Sequence, residues 1–217
     1  MNTTVDSFWK KKCEACAEAL QKNNFEVYLA GTIEAAEKLV LETITPALKP
    51  RSVSWGDSLT LLSTGILDYF RKKEDVEFIE INGEGMPFDV QIEQRRKALL
   101  VDLFFTGTNA VTEDGLLVNL DMIGNRVGAL TFGPRHVVLL IGRNKITGDL
   151  DSAMERTKHY AAPVNAARFG LGTPCVTTAE CSDCASGDRI CNSWTITEKS
   201  FPPGRVKIVL INQDLGF

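Results

Sequence analysis

Hydrophobic and polar positions along this chain alternate between two periods. Residues 7–22 carry Trp9, Cys13, Cys16 and Leu20 on one helical stripe. FEVYLA (25–30) reads as a strand, and 32–45 as a helix stopped near Pro46. SVSW (52–55) predicts a strand, SLTLLSTGILDYFRK (58–72) a helix and VEFIEI (76–81) a strand. A helix over 90–100 is followed by the apolar strand VDLFFT (101–106). LLVNL (116–120) and HVVLLIG (136–142) are further strands, 149–169 is a long helix, and a short WTIT strand precedes a final VKIVLI strand (206–211). Strands alternating with helices of ten to fifteen residues imply βαβ units, hence an α/β fold with a mostly parallel, Rossmann-like sheet flanked by helices. Runs such as VVLLIG suit strands covered on both faces. No repeat or linker divides the chain, which is expected to form one domain over residues 1–217.

Composition narrows the function classes. With 44% hydrophobic and 24% charged residues the chain reads as an ordinary globular protein. A net charge of −4 disfavours nucleic acid as the main partner, since phosphate binding wants a basic face. The opening MNTTVDSF lacks the basic and apolar regions of a signal peptide, and no apolar run is long enough to cross a bilayer. A cytoplasmic location without a membrane partner is the expectation.

Ligands of such folds bind where strands end and helices begin. Three turns qualify. In WGDSLT, Gly56 lets a ligand approach the backbone, Asp57 or Ser58 can cap the next helix, and Thr60 follows; a plain helix cap explains the same residues. In TGTNAVTEDG, the hairpin signal accounts for Asp114 and Gly115, but not for Thr106, Thr108, Asn109 and Glu113 grouped at the end of an apolar strand as a pocket floor would be; Gly107 and Asp114 join the candidate ligand contacts. In IGNRVG, Gly124, Asn125 and Arg126 suit a phosphate or carboxylate, although a solvated arginine fits equally. GRNK (142–145) adds two cations that favour an anion pocket. Glu113, before the turn of a buried strand, is the candidate nucleophile or base, because desolvation there would raise its pKa.

The one abrupt change in composition is CVTTAECSDCASGDRIC, within a cysteine-rich segment spanning 173–195. Cys175, Cys181, Cys184 and Cys191 have spacing C-x5-C-x2-C-x6-C. Structural zinc usually takes two close pairs far apart, whereas ferredoxin-type loops wrap a cluster with closely staggered cysteines. Only Val176 and Ile190 are large aliphatics in the segment, so its own packing offers little to offset ordering. A 4Fe–4S cluster is the favoured cofactor and zinc the alternative. Cys13 and Cys16 share a face with Trp9 and Leu20 and read as core. His136 and His159 have no partner carboxylate at motif spacing and receive no role.

The ordered motifs TEDG, GNRV, FGP and GRNK, with WGDSLTL upstream and AMERTKHYAAPVNAARFGLGTPC downstream, resemble the LUD-domain family of lactate-utilisation proteins from about residue 10 to the C-terminus. The resemblance implies a fold like that of sugar-phosphate isomerases and CoA transferases, with the three turns converging on one pocket. The four-cysteine segment would then be an appendage marking a subset of the family. It also implies a part in oxidising L-lactate to pyruvate beside iron–sulfur partner proteins, with a small anionic metabolite in the pocket. The competing reading is a transferase- or isomerase-like enzyme on a phosphorylated or CoA-linked substrate, with Glu113 catalytic, Arg126 the anion anchor and a structural zinc clip.

Overall fold

The computed structural model describes residues 3–217. Ten strands sort into two sheets: β1 (Glu26–Ala30), β2 (Ser52–Trp55), β3 (Glu77–Phe78), β4 (Leu103–Thr106), β7 (His136–Gly142) and β10 (Val206–Ile211) form the larger one. Its order is β1-β10-β7-β4-β2-β3, and every pairing is parallel. All four residues of β4 and all six of β10 are buried, as are Val137–Gly142 of β7. This double-sided burial is why these strands read as unbroken apolar runs.

Helices cover both faces. They are α1 (Thr3–Lys22), α2 (Ile33–Leu39), α3 (Thr45–Leu48), α4 (Leu59–Leu62), α5 (Ile66–Arg71), α6 (Phe88–Lys97), α7 (Asn125–Thr131), α8 (Leu150–Arg156), α9 (Ala162–Arg168) and α10 (Pro174–Thr178). The helical stretches 33–48 and 150–168 each contain a π-turn, at Val40–Ile44 and Thr157–Ala161. Pro46 and Pro163 follow those turns; a proline nitrogen cannot donate the next helical bond, and the wider turn accommodates the missing donor. On α1, Cys13, Cys16, Ala17 and Leu20 form the buried stripe. Burial raises the Cys13 thiol to about 11 and the Cys16 thiol to about 12, which makes both unreactive core side chains.

The smaller sheet, β8-β5-β6-β9, contains β5 (Ala110–Thr112), β6 (Leu117–Asp121), β8 (Ile146–Thr147) and β9 (Ser193–Thr197). The strands expected at 116–120 and in WTIT are present, but they pair antiparallel here rather than joining the main sheet. The β5–β6 hairpin turns at Gly115, with φ +88°, and seats this sheet on α1. A Cβ at that glycine would stand 2.8 Å from the Ala19 and Leu20 backbone, so both the turn and the close approach require glycine.

Candidate functional site

A cavity of about 410 Å³ lies beyond the carboxyl ends of the adjacent strands β2, β4 and β7. The loop after β2 and the loop after β4 meet through glycine. Gly56 N–H donates to the Phe105 carbonyl (2.9 Å) and Thr106 Oγ1 donates to the Gly56 carbonyl (2.9 Å). A Cβ at Gly107 would sit 2.8 Å from Ser58 Oγ, and one at Gly56 2.8 Å from the Phe104 ring. Ser58 Oγ caps α4 by accepting from Leu61 N–H, so the helix-cap reading of that residue holds while it also lines the cavity.

The third loop joins through Asn109, whose Oδ1 accepts from Leu120 N–H (3.0 Å) and from Arg126 Nη2 (2.6 Å). Asp121, at the end of β6, orients the arginine. Its carboxylate accepts Arg126 Nε at 2.9 Å and Nη2 at 2.5 Å, together with the backbone N–H groups of Arg126 and Val127 at 3.0 Å each. Gly124, at φ +82°, makes the turn that opens α7 and does not itself line the cavity. Of the residues expected to bind a ligand, Gly56, Asp57, Ser58, Gly107, Asn109, Asn125 and Arg126 therefore line one cavity. Thr60 and Thr106 are buried behind its wall.

Arg126 proves to be more than a pocket-edge residue, because it balances a carboxylate only 6% exposed. Arg126→Ala should therefore lower stability by about 2 kcal/mol as well as weaken any ligand, since it leaves Asp121 buried and unpaired. The 15% of its side chain that Arg126 leaves exposed moderates that cost. Chemical denaturation of the variant checks this: unchanged stability would mean that the pair contributes nothing.

Glu113 and Asp114 are elsewhere. β5 ends at Thr112, and the turn carries Glu113 out to α1, where its carboxylate is 42% exposed and ion-paired with Lys12 at 2.5 Å. The desolvation expected for a carboxyl at the end of a buried strand is absent, because the strand ends one residue too early to bury it. Asp114 offers its carbonyl to Asn23 at 3.1 Å, on the same α1 side. GRNK divides likewise. Arg143 pairs with Asp6 (2.8 Å) and Asp214 (3.0 Å) away from the cavity, while Lys145 faces into it.

Lys145 is the residue that motif reading undervalued. It is 5% exposed, and among the described residues its one side-chain hydrogen bond is a long 3.5 Å contact to Thr60 Oγ1. Burial, with the Arg156 and Arg126 guanidiniums adding like charge, lowers its amine from 10.5 to about 7. Arg95 and Arg168 add two more cations to the lining. Arg95 reaches Asp57 at 3.3 Å, and Asn82 donates to the same carboxylate at 2.8 Å, so Asp57 is already neutralised. Around the mouth, Phe88, Met122, Ile123 and Phe169 are exposed apolar side chains.

A second, small cavity adjoins the first. All four cysteines of the 175–191 segment line it, with Lys158, Pro163, Ala166 and Arg189, and Ala162 and Ile190 line both cavities. Arg189 holds the loop by donating to the carbonyls of Cys184 (2.6 Å) and Cys191 (3.1 Å), and its other end pairs with Asp183 at 2.8 Å. Lys158 reaches the same Asp183 at 2.7 Å. The cysteines are free thiols. Among the described residues, no three His, Cys, Asp or Glu side chains converge closely enough to ligate a single ion as they stand.

The family model described as the LUD domain matches residues 13–211. A crystal structure of a DUF162 family protein from Deinococcus radiodurans is similar at a TM-score of 0.47 and 14% identity, covering 94% of this chain and 97% of that one. No curated protein matches the sequence.

Proposed function

The chain belongs to the LUD domain family, and on that premise we propose that it is a component of L-lactate oxidation to pyruvate. It binds a small anionic metabolite in the cation-lined cavity and carries a 4Fe–4S cluster on Cys175, Cys181, Cys184 and Cys191. It works in the cytoplasm beside other iron–sulfur proteins; no helix among the described residues is long and apolar enough to cross a membrane. The observation that carries this reading is the shared wall. Ala162 and Ile190 are the boundary between the cavity with the cations and the cavity with the thiols.

The spacing and chemistry of the four cysteines favour such a cluster over one zinc ion. All four cysteines line one cavity, and their staggered spacing is that of a loop wrapped round a cluster rather than of two separated pairs. A cluster interposes its own iron and sulfide between its thiolates, so its ligands need not meet. When bound, it supplies one-electron transfer. The chain's own part is to fix the loop through Arg189, to set Arg189 and Lys158 beside a negatively charged centre, and to back it with Pro163 and Ala166. In the main cavity Lys145, Arg126 and Arg168 attract the carboxylate. The transferase or isomerase reading is disfavoured by the place of Glu113, which is on the α1 side and cannot reach a ligand held by Arg126.

Calorimetric titration with lactate and pyruvate tests the anion site. Arg168 is exposed, and its side-chain hydrogen bond is to neighbouring Asn165, so Arg168→Ala should weaken binding about three- to tenfold while leaving the melting midpoint in place. Unaltered affinity in that variant, or no heat with either acid, would remove the anion-site assignment.

A further inference from the structure

Lys145 is the cavity's least explained group. A buried cation is ordinarily paired, and among the described residues this one has no carboxylate within ion-pair distance. The cations around it make the charged form worse. Arg126 in turn spends Nε and Nη2 on Asp121, Asn109 and the Leu120 carbonyl, and its Nη1 makes none of these bonds. The mouth is apolar, with Phe88 68% and Phe169 55% exposed beside Met122 and Ile123. At about 410 Å³ the cavity is far roomier than a three-carbon acid requires.

We propose that Lys145 captures the keto group of a 2-oxo acid as an imine, with the acid's carboxylate on Arg126 and an apolar side chain against Phe88, Met122, Ile123 and Phe169. This rests on the reading of the cavity as an organic-acid site and names its ligand class. The amine nitrogen adds to the keto carbon, the carbonyl oxygen leaves as water with the two hydrogens of the amine, and a C=N bond remains. No electrons are exchanged, so no oxidant or reductant is needed. A buried lysine among like charges suits this step because a substantial share of it is unprotonated near neutral pH, and the free amine is the nucleophile. Lys145 itself is only 5% exposed, so little water reaches the imine carbon at its amine.

The test is reductive trapping on the full chain. Phenylpyruvate and sodium cyanoborohydride are added at neutral pH, and the modified lysines are located by peptide mass spectrometry. Lys145 should be alkylated about tenfold faster than the exposed Lys10 or Lys38, and excess phenyllactate, which has the carboxylate and ring without the keto group, should slow Lys145 alone. Two results overturn the proposal and are distinguishable. If phenylpyruvate and phenyllactate both raise the melting midpoint but Lys145 is labelled no faster than Lys10, the organic-acid site stands and covalent capture falls. If neither acid shifts the midpoint and Lys145 is not labelled, the organic-acid site falls with it.

Discussion

Anaerobic reconstitution with iron and sulfide will load about four irons per chain and produce a broad visible absorption, and Cys181→Ser combined with Cys184→Ser will reduce both to a tenth or less. The effect is expected to be nearly all-or-none for a physical reason. The loop between Cys175 and Cys191 is anchored mainly by Arg189 and Asp188, the latter accepting from Gly172 N–H at 2.9 Å. It has few buried apolar side chains of its own, so metal–thiolate bonds are its main source of further ordering. Removing the close pair leaves two thiols, which cannot retain a cubane. Zinc would give a colourless protein with roughly one metal ion per chain. Equal, substoichiometric iron in wild type and variant would eliminate the cluster. Because Ile190 forms part of the main cavity's wall, the same variants should also change the affinity for lactate, which links the two cavities independently of any turnover.

Lys145→Met will give a more stable protein that binds anions more weakly. The native amine lies near 7, against an ordinary value of 10.5, so burial disfavours the charged form. The sign follows from proton counts. Between those two values the unfolded chain holds a proton on this lysine that the folded chain has released, so stability rises with pH across the window. The penalty is full below about pH 7 and disappears as pH approaches 10.5. Methionine has a similar shape and no charge, and should gain on the order of 3 kcal/mol at pH 7. For a chain of this length that corresponds to a melting midpoint roughly 6–12 °C higher. The gain should shrink steadily when melting is repeated at pH 8, 9 and 10. A destabilised variant, or a gain independent of pH, would mean that Lys145 is satisfied as it stands. Stabilisation with weakened binding would identify it as a group held at a cost for function.

Much of the fold was legible along the chain because its main strands are buried on both sides. VVLLIG and VKIVLI could not be surface segments, and continuous apolar runs alternating with amphipathic helices leave few arrangements other than a parallel sheet. The division into two sheets was not legible. β5 and β6 are buried at every position like the main strands, and their hairpin turn does not say which sheet they join. The turns were recognisable as candidate ligand loops because glycine after an apolar strand has a local meaning. Glu113 was misplaced because the distinction between a buried and an exposed carboxylate turned on a single residue, the end of β5 at Thr112, and strand ends are poorly marked in sequence.

The sequence by itself determined the α/β class, the LUD family through its ordered motifs, the core role of Cys13 and Cys16, and the existence of a cysteine segment unable to pack on its own. The family rests on the resemblance of those motifs, and the others on periodicity, composition and spacing, all of them properties of the linear chain. Only the tertiary structure decided which cations share a cavity. Arg143 and Lys145 are two residues apart, yet one meets Asp6 and Asp214 in an ion-pair network while the other is buried almost alone. It also decided that the cysteine-lined cavity and the cation-lined cavity share Ala162 and Ile190. Desolvation and proximity between distant segments are consequences of packing, and packing is set by long-range contacts that no local pattern encodes.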